Sequence, residues 1–80
     1  MPTVLRIGGY RFFFYANEGG EPVHIHIQAG RCLAKFWINP VTLASSTGFA
    51  AQELTKLHVL VREHEQLFEE AWNEFFGAAR

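Results

Sequence analysis

Near residue 50 the hydrophobic period of this chain changes, and that switch restricts the fold more than any other feature of the sequence. From Ala50 onward, Leu54, Leu57, Val61, His64, Phe68, Ala71 or Trp72, and Phe75 recur every three or four residues. That spacing places one apolar stripe along a helix. Unbroken, residues 50–76 would run roughly 40 Å at about 1.5 Å per residue, long for a chain of 80 residues. A bend near Glu63–Glu65 is therefore expected, giving two helical segments that end at Gly77, a common C-terminal stop.

Before the switch the chain reads as short strands separated by turns. Val4-Leu5-Arg6-Ile7 passes through Gly8-Gly9 into the run Tyr10–Tyr15, a two-residue hairpin signal between β-rich segments. Asn17-Glu18-Gly19-Gly20 makes the next turn, and Pro22 opens the strand Val23–Gln28, where its missing N–H is tolerated. Ala29-Gly30-Arg31 leads into Cys32–Ile38, which Pro40 ends. The expectation is one α+β domain over residues 1–80. A four-stranded antiparallel meander fills residues 3–38 of a sheet half (1–40), and the helical half (50–76) packs on one face of it.

Alternation across the strands divides the sheet into two faces. Leu5, Ile7, Phe12, Phe14, Val23, Ile25, Ile27, Ala34, Phe36 and Ile38 form an apolar face for the helices to cover. The opposite face gathers Arg6, Arg11, Phe13, Tyr15, His24, His26, Gln28, Lys35 and Trp37. With one helical layer available, this second face is expected to be open to solvent or to a partner.

Composition sets the compartment and excludes several function classes. One cysteine, Cys32, permits no internal disulfide and fits a reducing environment. No secretory signal and no apolar run of about 20 residues is present, so a cytoplasmic protein without membrane association is expected. Eight Phe, two Tyr and two Trp supply enough apolar area for a core in a domain of this size. Arg6, Arg11, Arg31 and Lys35 against Glu18 and Glu21 leave residues 1–48 at +2. Lys56, Arg62 and Arg80 against six glutamates leave residues 49–80 at −3. A polyanion would therefore meet the first half, although a pI of 6.4 is a weak nucleic-acid signature. The glutamates of the second half read as a solvated helix face, and His64, on the apolar stripe, as a boundary residue.

Three chemistries suit the mixed face. In the first, Arg and Lys attract RNA phosphates while aromatic planes stack bases, and imidazoles move protons near neutral pH. In that ribonuclease reading His24, His26, Lys35, Arg11 and Tyr15 are the catalytic candidates, and Arg6, Phe13, Gln28 and Trp37 the binding ones. In the second, a non-catalytic protein-interaction module uses the same aromatic and basic surface or accepts a strand at a sheet edge; self-association fits the same surface. In the third, His24 and His26 share a metal ion. The strands supply no third ligand, so no metal is expected. No cofactor is expected either, because no phosphate-cradling loop, nucleophile elbow or Cys-based metal motif occurs.

The opening Met1–Gly8, the run Tyr10–Tyr15, Glu21-Pro22 followed by His24-Ile25-His26, and Ala34-Lys35-Phe36-Trp37 together resemble the bacterial family called domain of unknown function 4160. Gly48-Phe49, Glu53-Leu54 and the ending Ala71–Gly77 extend the resemblance over nearly the whole chain. The resemblance implies the toxin-like component of a toxin–antitoxin pair, with a small antitoxin-like protein as partner. Three positions depart from the family pattern: Val23 replaces a proline, Asn39 an aspartate and Ala50 a serine. The last leaves the capping box with Glu53 incomplete, a loss of about 1 kcal/mol, unless Thr47 caps one turn earlier.

Overall fold

The computed structural model describes residues 3–77. Its order is β1 (Thr3–Ile7), β2 (Tyr10–Phe13), β3 (His24–Ala29), β4 (Cys32–Trp37), β5 (Thr42–Thr47), α1 (Ala51–Glu63) and α2 (Glu65–Phe76). The strands form one antiparallel sheet in sequence order. Gly8 (φ 55°) and Gly30 (φ 60°) supply the left-handed residues of two hairpin turns. The α+β class is the one the change of period predicts.

The strand count differs from the expectation. β5 continues the meander beyond Pro40, pairing Leu33 with Thr47 and Trp37 with Thr42 across a register shift between Lys35 and Phe36. Its sequence, Thr-Leu-Ala-Ser-Ser-Thr, has no alternating apolar pattern, and all six residues are exposed. Backbone pairing to β4, not burial, makes this strand, so periodicity does not reveal it.

The helical half divides where the length argument places it. His64 (φ −114°, ψ 18°) separates α1 from α2, and its Nδ1 approaches the Leu60 carbonyl at 2.9 Å. α1 buries Leu57 and Val61, and α2 buries Phe68 and Trp72, so the four-residue stripe continues through the bend. Ala50 caps α1 without a side-chain hydrogen bond, and Thr47 ends β5 instead of supplying one.

The apolar face is covered as expected. Phe12, Phe14, Ile25, Ile27, Ala34, Phe36 and Ile38 form one core with Leu57, Val61, Phe68 and Trp72. Phe12 stacks on Phe68 at 5.4 Å between centroids, and Phe14 meets Trp72 edge-on at 5.3 Å. Among the described residues, no helix is long and apolar enough to cross a membrane.

Candidate functional site

The second sheet face is less open than alternation implies. Phe13 and His24 are each 1 % exposed although both belong to that face. Two devices cover them. The Arg11 guanidinium lies 4.5 Å from the Phe13 ring centre, while Tyr15 and His26 flank the same ring at 5.3 and 5.4 Å. The connection between β2 and β3 also folds back toward the sheet, because Phe14 anchors it against Trp72, Phe75 and Phe76. A Cβ on Gly19 would lie 2.7 Å from the Phe76 ring, so the connection passes α2 where only glycine fits without displacement.

That return brings in a residue the strand pattern does not indicate. Glu18 places Oε1 at 2.9 Å from His24 Nε2 and Oε2 at 2.9 Å from His26 Nε2. The Tyr15 amide donates to Glu18 Oε1 at 2.8 Å. Burial on its own would raise the Glu18 pKa, but the Tyr15 N–H and the His26 imidazole are the chief groups that oppose it, and the carboxyl is held below its usual value. His26 moves the same way for a different reason. Burial disfavours its charged form, and Glu18 offsets only part of that effect. Glu18 lies in a turn that reads as solvated; its only sequence signal is its place in the connection returning to the histidine strand.

His24 sits deeper than its neighbour. Its ring meets Trp72 at 4.8 Å and Trp37 at 5.6 Å, and its Nδ1 donates to the Pro22 carbonyl at 2.9 Å. The carbonyl can only accept, so Nδ1 carries a proton. Among the described residues, Nε2 has no partner in hydrogen-bonding geometry, although Glu18 Oε1 is near. Its side chain is 0 % exposed, so solvent reaches His26 (15 %) and not His24.

Lys35 faces His26 across the β3–β4 register. Its Nζ donates to Glu21 Oε1 at 2.9 Å and lies 4.4 Å from the Trp37 ring centre. Tyr15 meets His26 edge-on at 4.9 Å. Beside them opens a cleft of about 210 Å³ bounded by Tyr15, His26 and Lys35 and, from β5, by Ser45, Ser46 and Thr47. The hydroxyl wall was invisible in the sequence for the same reason as the strand.

Other candidates lie outside this group. Arg11 binds Thr3 Oγ1 at 2.8 Å and Gln28 Oε1 at 3.4 Å, forming a separate polar cluster beyond Phe13. Arg6 is exposed on β1, opposite Arg11. His58 bonds the Val41 carbonyl at 2.9 Å and stacks over Phe36, a structural role. Asn39 takes a left-handed φ of 63°, which asparagine tolerates better than most residues, and approaches Glu69 Oε2 at 3.5 Å through its amide. An aspartate there would set two carboxylates against each other.

Fold and site define a small α+β protein in which a five-stranded meander carries a carboxylate–imidazole cluster beneath a folded-back connection. Residues 9–73 match the model of the family described as Domain of unknown function (DUF4160), and the chain belongs to that family. No curated protein and no solved structure matches it.

Proposed function

We propose that this chain is the toxin-like component of a bacterial toxin–antitoxin module and that it acts on RNA at the cleft between Tyr15, His26 and Lys35. The toxin role is the one that the family resemblance implies. The observation that carries the RNA reading is the convergence, in one open cleft, of a cation, an aromatic ring, an imidazole backed by a carboxylate and the hydroxyl-bearing residues Ser45 and Thr47, which share the Lys35 face. Phosphate contact, base stacking and 2′-hydroxyl recognition call for that set of groups. The Lys35–Glu21 pair is no obstacle. Glu21 is 44 % exposed, and such surface pairs contribute about 0–1 kcal/mol, so a phosphate can displace it.

Expression should arrest bacterial growth, and His26→Ala or Lys35→Ala should relieve the arrest. Toxicity unaffected by both changes would remove the site from the proposal. Purified protein incubated with total RNA then separates cleavage from capture.

A second reading is favoured by β5. It is an edge strand whose six residues are all exposed, and such an edge accepts a partner strand. In that reading the antitoxin-like protein docks there, and the chain is an interaction module. Intact RNA together with tight binding of the neighbouring gene's product is the outcome that selects it.

A further inference from the structure

The geometry points to a binding site for one divalent transition-metal ion of the zinc class, formed by Glu18, His24 and His26. The site shares Glu18 and His26 with the proposed RNA cleft, but the inference rests on the donor geometry and not on any action on RNA. It begins with the tautomer of His24. Because Nδ1 donates to the Pro22 carbonyl, the neutral ring presents an unprotonated Nε2. That atom is buried, lacks a hydrogen-bond partner among the described residues and stands 2.9 Å from the Glu18 carboxylate. Two acceptors face one another inside the protein, an arrangement folded chains avoid. A proton on Nε2 would need Glu18 Oε1 along its N–H direction, and that oxygen does not meet hydrogen-bonding geometry. A cation held among the donors resolves the conflict.

The rest of the cluster fits the same occupant. One donor atom from each of Glu18, His24 and His26 lies within 4.8 Å of the others. In tetrahedral zinc sites, with bonds of about 2.0–2.2 Å, donors stand roughly 3.3–3.5 Å apart. The 2.9 Å contacts, one from each Glu18 oxygen, open by a few tenths of an ångström on binding, and the widest separation in the set, 4.8 Å, closes by about an ångström. Ligating imidazoles commonly donate their other nitrogen to a carbonyl, and ligating carboxylates are themselves hydrogen-bonded. Pro22 and the Tyr15 amide already fill those two roles. Stacking on Phe13 and edge contacts with Trp37 and Trp72 fix the two rings before any ion arrives.

Two imidazoles and one carboxylate select zinc-class ions over magnesium or calcium, which prefer all-oxygen shells. Three protein ligands leave a fourth position for water, and the side chains of Glu18 and His26 are 12 % and 15 % exposed, so water can reach it.

The test is calorimetric titration of Zn2+ into full-length, tag-free protein stripped with a chelator, with Mg2+ as the control. One ion per chain is expected, accompanied by a rise in melting temperature. Glu18→Gln and His26→Gln should each weaken binding at least tenfold, because each removes a ligand whose side chain lies outside the apolar core. Cys32→Ser should leave the affinity unchanged. Co2+ substitution should show the visible absorption of a four-coordinate site in the wild type and lose it in Glu18→Gln. Absence of Zn2+ binding, equal affinity for Mg2+, or a Zn2+ affinity that survives both glutamine variants would each overturn the assignment. So would loss of binding in Cys32→Ser.

Discussion

Single residues show where local chemistry is legible and where it is not. His24 and His26 belong to one sheet face by alternation alone, and the structure keeps them there with rings 5.0 Å apart. Their depths differ because the end of α2 covers one of them, and strand parity contains nothing about that. Tyr10 gives a prediction of its own. Its hydroxyl donates to Glu53 Oε2 at 2.7 Å, and that hydrogen bond, with burial and the carboxylate charge, raises its pKa above the ordinary value of 10.0. The folded state therefore holds this proton more tightly than the unfolded chain does. The stabilisation is complete below pH ~10 and declines as the pH rises through the folded-state pKa. Denaturant titrations from pH 8 to 11 should show wild type losing stability faster than Tyr10→Phe at the alkaline end. Parallel curves would remove the linkage. In the core, Phe12→Ala should cost about 3–5 kcal/mol, measured by the same titrations, because Phe12 is fully buried against Phe68.

At the scale of elements, helices were readable to within a residue or two and strands only where burial patterned them. The period of α1 and α2, and the length that requires a break between them, are properties of consecutive residues. β5 is held by pairing to a partner rather than by its own pattern. Two substitutions test the elements. Ala50→Ser should stabilise the protein by about 1 kcal/mol, because the cap position of α1 has no side-chain partner and Glu53 stands three residues on. An unchanged melting temperature would show the helix start to be satisfied otherwise. Gly19→Ala should cost about 1–3 kcal/mol, since the added methyl meets the Phe76 ring. It should also loosen the β2–β3 connection that holds Glu18. Faster amide exchange at Tyr15 and Glu18, with β3 and β4 protected as before, is the pattern expected.

For the whole molecule, the relation between the two sheet faces is the central matter. One face is closed by helices, and the other is partly closed by a connection whose anchor, Phe14, belongs to the first face. Core packing and site assembly are thus coupled through α2. Shortening the chain after Glu70 should lower stability and expose the His24 ring together, read as increased tryptophan accessibility to quencher at Trp37. The α+β class, the single core, the covered face and the bend at His64 followed from the sequence by itself, because each rests on periodicity and chain length, which neighbouring residues encode. Three things were decided only by the tertiary structure: the fifth strand, the burial of Phe13 and His24, and the arrival of Glu18 between the two histidines. All three depend on residues far apart along the chain or on a turn whose path is set by what it packs against. A solvated turn and a turn folded onto a sheet have the same composition, and only the close passage of Gly19 past Phe76 tells them apart.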